Sequence, residues 1–218
     1  MLNVEQRYRF LYKPAVFLAC LAPAVLLLAG AFGLAGADLG PDPVAKLLHS
    51  CGKTALNLLL LTLLVTPVRR LTGWTQLLRL RRMLGLFAFG YALLHFAVYL
   101  WLDQQFNWPA ILKDIGKRPY ITIGFTALLM LVPLALTSTN RMMRRLGRRW
   151  QQLHRLVYAI AILGVWHYWW QVKRDIRLPL LYALMLAVLL GFRLVMRIRA
   201  RSRRLTSTSA PATAPERT

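Results

Sequence analysis

Acidic residues are scarce in this sequence, which contains 7 Asp and Glu residues against 29 Lys and Arg residues. Only 17% of the chain is charged, whereas an ordinary soluble domain has about 25% charged residues of both signs. The net charge of +22 would favour nucleic-acid binding in a soluble protein. Here the basic residues lie in short links between apolar segments, which the positive-inside rule explains better. No nucleic-acid partner is therefore predicted.

Cysteine is also rare, with two residues in the chain. The sequence has neither a Cys-x-x-Cys-His motif nor a glycine-rich nucleotide loop. Any haem would therefore be held by coordination and not by thioether bonds. Cys20 and Cys51 are predicted to lie at different depths in a membrane, which argues against a disulfide bond between them. A packing role is the simpler interpretation.

Apolar residues make up 57% of the chain and form long blocks. Each block has about 20 residues, the length an α-helix needs to cross about 30 Å of hydrocarbon. Because backbone polar groups find no water in lipid, such blocks must be helical. The sequence predicts an all-α integral membrane bundle over residues 1–198, with six transmembrane helices at 14–34, 44–65, 83–102, 120–136, 153–170 and 178–196.

Basic residues are concentrated in alternate links, and most acidic residues lie in the other links. This asymmetry predicts that both termini are cytoplasmic. The small residues Ala35, Gly36 and Ala37 also suggest signal-peptide cleavage. The apolar block before them is long for a signal peptide, so we expect a retained first helix. Residues 199–218 are predicted to form a disordered, basic cytoplasmic tail beside the membrane surface.

Two of the four histidines lie inside apolar blocks at similar predicted depths. With a rise of 1.5 Å per residue, His95 and His167 differ in depth by roughly 6 Å, and His95 and His154 by about 14 Å. Neutral imidazole is a strong ligand for haem iron, and ionisable groups inside a membrane are generally functional. His95 and His167 are therefore predicted to be the axial ligands of one haem in the outer leaflet, which would make the chain an electron carrier.

The other two histidines have several interpretations. A second haem at His154 would need a partner on the third helix, where Arg81 and Arg82 occupy the matching depth and cannot ligate iron. His154 would then contact a quinone or a flavin, or form a hydrogen bond within the bundle. His49 and Lys53, at the outer end of the second helix, are predicted to contact a haem propionate or an outer-surface partner, or to be ordinary interfacial residues.

Three segments resemble a known family: DPVAKLLHSCGKTALNLLLLTLLVTPVRR, RRMLGLFAFGYALLHFAVYLW and RPYITIGFTALLMLVPLALTSTNRMMRRLGRRWQQLHRLVYAIAILGVWHYWW. Over about residues 5–198 the chain resembles the MsrQ (YedZ) family. These proteins are haem-binding membrane subunits of the bacterial periplasmic methionine sulfoxide reductase system, in the ferric-reductase-like transmembrane group. The family's histidines match His95, His154 and His167, which leaves a second haem at His154 open.

The resemblance implies haem b and FMN as cofactors and a multi-pass location in the bacterial inner membrane. It also implies electron flow from the quinone pool, or from a cytosolic flavin reductase, to the molybdopterin subunit MsrP as a heterodimer partner. That partner repairs oxidised methionine in periplasmic proteins, so the sulfoxide chemistry would lie outside this chain.

The sequence is also compatible with two functions other than a methionine sulfoxide reductase subunit. One is a ferric reductase or respiratory cytochrome b with another acceptor. The other is a non-redox transporter or scaffold, which the small number of helix breakers disfavours.

Overall fold

The computed structural model describes residues 3–34, 38–172 and 175–208, and every regular element in these ranges is helical. Four short helices are α1 (Val4–Arg7), α5 (Trp108–Lys117), α7 (Asn140–Leu146) and α8 (Arg148–Leu153). Six long helices are α2 (Lys13–Ala31), α3 (Pro43–Thr72), α4 (Leu77–Val98), α6 (Pro119–Leu136), α9 (Leu156–Gln171) and α10 (Arg177–Thr208). Two π-helical turns, Tyr8–Tyr12 and Tyr99–Asp103, precede α2 and follow α4. The all-α prediction is confirmed.

Five helical segments are long and apolar enough to cross a membrane: Glu5–Ala31, Pro43–Thr72, Leu77–Asp103, Pro119–Leu136 and Arg177–Ser202. The remaining long helix, α9, is also apolar but has only 16 residues. Each predicted block thus corresponds to one long helix. The cytoplasmic location of the termini stays a prediction.

The ends of two helices differ from the predicted blocks. α3 has 30 residues and continues to Thr72. The Asp42 side chain accepts a hydrogen bond from the Ala45 N–H at its start, and Gly73 closes it with a φ of 73°. α10 continues to Thr208, into the segment predicted as a tail. Residues 35–37 and 209–218 lie outside the described residues.

The core lies where α3 packs on α4 and α6 packs on α9, the two most extensive helix contacts in the described structure. Leu63 of α3 and Ala161 of α9 are completely buried there. Cys20 and Cys51 are buried free thiols. This arrangement gives two helix pairs that bring α4 and α9 to opposite sides of a central cavity.

A proline within α3 creates a contact that docks α10. Pro67 has no N–H, so the Leu63 carbonyl loses its partner within the helix. The Arg193 guanidinium of α10 donates to this carbonyl, and also to the Leu189 carbonyl at 2.9 Å. Buried backbone groups in a membrane must be satisfied by neighbouring helices in this way.

A tyrosine hydroxyl is inserted into the hydrogen-bond ladder of α2 beside Pro23. The Tyr91 hydroxyl donates to the Cys20 carbonyl at 2.7 Å and accepts from the Ala24 N–H at 2.9 Å. It therefore bridges two backbone groups of α2 that lie one helical turn apart. This contact attaches the first span to α4.

Candidate functional site

His95 is positioned by two features of α3. Its ring lies against Gly52, where an added Cβ would be 3.1 Å from Nδ1. Its Nδ1 lies 2.8 Å from the Leu48 carbonyl oxygen. Because a carbonyl can only accept, Nδ1 carries the proton and Nε2 keeps a free lone pair. The ring is therefore held in the tautomer that ligates a metal through Nε2.

His167 is positioned in the same way by α6. An added Cβ at Gly124 would lie only 2.7 Å from its Nδ1, so the ring packs directly on the helix backbone. Its Nδ1 donates to the Tyr120 carbonyl at 2.7 Å. Among the described residues, neither Nε2 of this pair has a recorded hydrogen-bond partner.

The two half-sites follow one pattern. Each histidine lies 47 positions after the residue whose carbonyl accepts from its Nδ1. The glycine one helical turn after that residue faces the ring in both cases. The cavity walls repeat the pattern, since Leu56 and Ala92 of the first pair correspond to Leu128 and Gly164 of the second. The site is thus a pseudo-symmetric clamp with one imidazole from each half.

The spacing of the two rings fits a metal placed between them. The ring centroids of His95 and His167 are 6.0 Å apart, and the planes are inclined by 81°. A metal–imidazole bond is about 2 Å long, and the ring centroid lies about 1 Å behind the bonding nitrogen. Two imidazoles on opposite sides of one metal ion therefore have centroids about 6 Å apart. The donor set, its tautomers and its separation all fit haem iron with two axial histidines.

Both rings line a cavity of about 330 Å³. Its walls are largely aliphatic and aromatic, as an apolar macrocycle requires. Five polar side chains lie towards its mouth: His49, Lys53, Asp103, Arg118 and Gln171. Arg118 forms an ion pair with Asp114 at 3.1 Å, whereas the exposed Lys53 has none in the described structure.

His49 lies beside this cavity and not between the helices. Its Nδ1 donates to the Ala45 carbonyl of its own helix at 2.6 Å, and its Nε2 is 3.4 Å from Nε2 of Gln171. The side chain is exposed. The structure therefore places His49 with Lys53 at the mouth, and their contact with a propionate or an outer-surface partner stays a prediction.

His154 belongs to a different part of the molecule. It follows α8 and precedes α9, which begins at Leu156, so it lies outside the transmembrane helix that sequence analysis assigned to it. Its ring stacks on Trp150 with centroids 3.9 Å apart. It lines a second cavity of about 550 Å³, and Leu59 and Leu131 belong to the linings of both cavities.

The second cavity does not contain another histidine pair. The α4 position that matches His154 in the clamp pattern is Arg82, and both Arg81 and Arg82 line this cavity. The described residues contain no group of three or more His, Cys, Asp or Glu side chains that could hold a metal ion. Among the described residues that line this cavity, His154 is the single histidine, so a second haem there stays a prediction with one histidine ligand from the lining.

Four residues of the site are not indicated by the sequence pattern alone: Gly52, Gly124 and the carbonyl residues Leu48 and Tyr120. The available signal is the equal interval between each glycine and its histidine, which becomes visible only once both histidines are considered together.

Comparison with known proteins gives a consistent result. Residues 51–165 match the family described as ferric reductase like transmembrane component. A protein of Xanthomonas campestris pv. campestris (strain 8004) is 53% identical over 207 residues, which cover 93% of this chain and 94% of that protein. A protein of Azospira oryzae is 54% identical over 205 residues, covering 93% of this chain and 87% of that protein. Both are named protein-methionine-sulfoxide reductase heme-binding subunit MsrQ. No solved structure matches the chain.

Proposed function

The chain belongs to the MsrQ family of ferric-reductase-like membrane proteins, and we propose that it is the electron-transfer subunit of a methionine sulfoxide reductase system. In this proposal it accepts electrons from the quinone pool or from a cytosolic flavin reductase. It delivers them to the molybdopterin subunit MsrP, its heterodimer partner at the bacterial inner membrane. The reduction of methionine sulfoxide in oxidised proteins takes place on that partner.

His95 and His167 would hold a b-type haem through their Nε2 atoms. The observation that carries this assignment is the facing pair of rings, 6.0 Å apart, each with its Nδ1 bonded to a backbone carbonyl. When bound, haem supplies reversible one-electron chemistry. The carbonyl bonds increase the basicity of both imidazoles, and the apolar walls lower the local dielectric, which are two means of adjusting the potential.

The mouth of the cavity would bind the acidic groups of the cofactor. Lys53, which has no ion-pair partner in the described structure, is the main candidate for a propionate contact, with His49 beside it. Arg118 is less available because Asp114 already pairs with it. The same mouth would face the periplasmic partner.

The opposite end of the bundle would face the electron donor. His154 and the arginine-rich helices α7 and α8 lie there, beside the second cavity. Leu59 and Leu131 line both cavities, so an electron from the donor end would pass this part of the bundle on its way to the histidine pair. FMN, which the family resemblance implies, would be a second cofactor of this chain.

The assignment is tested on the full chain purified in detergent from cells supplied with haem precursor. We would measure the haem-to-protein ratio and the reduced-minus-oxidised absorption for His95→Ala, His167→Ala, His154→Ala and His49→Ala. Haem should be lost in the first two variants and kept in the last two, because only the first two rings face each other. Equal loss in His154→Ala, or a colourless native protein, would overturn the assignment.

The acceptor is tested separately, because the family also resembles ferric reductases. The reduced protein is mixed either with purified MsrP and methionine sulfoxide or with a ferric chelate. Faster reoxidation by MsrP supports the proposal. Reoxidation by the ferric chelate alone would favour the ferric reductase.

A further inference from the structure

The second cavity has an unusual concentration of positive charge. Five arginines line it: Arg79, Arg81, Arg82, Arg155 and Arg197. They come from α4, from the turn before α9 and from α10, so three separate parts of the chain bring cations to one place. The clamp that holds the histidine pair does not need any of them.

These charges are poorly compensated within the described residues. Arg79 pairs with Glu5 at 2.6 Å. Arg82 donates to the neutral amide oxygen of Asn140. The only other recorded ion pair, Arg118–Asp114, belongs to the mouth of the first cavity. Arg81, Arg155 and Arg197 therefore surround the cavity without a carboxylate, and like charges held together in this way repel each other unless an anion binds.

Apolar side chains continue from the arginines along the outside of the helix bundle. Leu86 lines the cavity further along α4 than the arginines and is 41% exposed. Phe89 lies further along α4 on the same cavity wall. A ligand that matches this surface has an anionic head beside the arginines and an apolar tail along α4.

We propose that the second cavity binds the phosphate of an anionic phospholipid through Arg81, Arg155 and Arg197. Guanidinium groups bind phosphate oxygens in a bidentate geometry. Basic pockets between helices at a membrane surface are suited to anionic headgroups. A soluble phosphate ester shares the headgroup chemistry, but it has no apolar chain to cover Leu86 and Phe89. This inference is independent of the haem assignment.

The test uses the haem-loaded full chain in an uncharged detergent. Phosphatidylglycerol, phosphatidylcholine and inorganic phosphate are titrated separately, with bound lipid counted by native mass spectrometry and stability followed by thermal unfolding. One variant combines Arg81→Gln, Arg155→Gln and Arg197→Gln. The matched control combines Arg144→Gln, Arg145→Gln and Arg148→Gln, which removes the same charge from exposed positions outside the cavity.

The native protein should bind phosphatidylglycerol in preference to phosphatidylcholine. Affinity should fall on the order of a hundredfold in the cavity variant, and by no more than about twofold in the control. Arg197→Gln alone, at an exposed position, should weaken lipid binding about fivefold. If the triple variant loses its haem absorption, this single variant tests whether the cavity arginines bind the lipid.

Three results would overturn the proposal. Equal weakening in both triple variants would show that general surface charge is responsible. Equal binding of phosphatidylglycerol and phosphatidylcholine would show that the negative charge of the lipid does not determine binding. Stabilisation by inorganic phosphate as large as that by phosphatidylglycerol would identify a soluble phosphate as the ligand.

Discussion

The substitution Gly124→Ala should weaken haem binding through a single methyl group. The added Cβ would lie 2.7 Å from Nδ1 and 2.8 Å from Cε1 of His167, far inside the ordinary carbon contact distance of about 3.5–4.0 Å. Overpacking of this kind costs about 1–3 kcal/mol, and the higher helix propensity of alanine returns at most about 1 kcal/mol. The net loss of up to about 2 kcal/mol corresponds to a dissociation constant for haem that is up to roughly thirtyfold higher.

Haem loss is measured by the transfer of haem to a haem-free acceptor protein. Substitutions at two further glycines serve as graded controls in this assay. At Gly52 the nearest His95 atom is 3.1 Å away, so Gly52→Ala should have a smaller effect than Gly124→Ala. At Gly90, which lies in α4 with His95, an added Cβ would have nothing within 4 Å, so Gly90→Ala should leave haem binding unchanged. If Gly124→Ala released haem no faster than Gly90→Ala, the proposed packing of His167 on α6 would be wrong.

Two contacts outside the site should determine how the spans hold together. Tyr91→Phe leaves the Ala24 N–H and the Cys20 carbonyl without their partner and should lower stability by about 1–3 kcal/mol in thermal unfolding; an unchanged midpoint would show that α2 restores its own bond. Arg193→Met leaves the Leu63 carbonyl unsatisfied and should lower stability by a similar amount, about 1–3 kcal/mol. The same change at an exposed arginine of α10, Arg199→Met, should have little effect, and equal loss in both would contradict the docking role.

The helices could be predicted from the sequence because backbone polar groups in lipid find no water and must form hydrogen bonds within a helix. Long apolar blocks between basic links correspond to one long helix each. Their ends could not be predicted from hydropathy, since caps decide them. α3 extends to Thr72, beyond its apolar part, because the polar residues Arg69 and Arg70 continue the helix until Gly73 caps it.

The histidine pair could be predicted from depth, since rise per residue fixes height along a helix. Rotation about the helix axis and the distance between helices depend on packing, so the facing rings and the glycines beneath them could not be predicted. His154 was assigned to the fifth span because hydropathy does not detect the turn that separates α8 from α9.

The central claim is that imidazoles from α4 and α9 hold one haem between them. Electron paramagnetic resonance of the oxidised native protein tests it most directly. Two imidazole ligands should give low-spin ferric haem, and planes inclined by 81° should give the strongly anisotropic signal of near-perpendicular ligands. That signal should disappear in both His95→Ala and His167→Ala. A high-spin signal from the native protein, or an unchanged spectrum in either variant, would contradict the account.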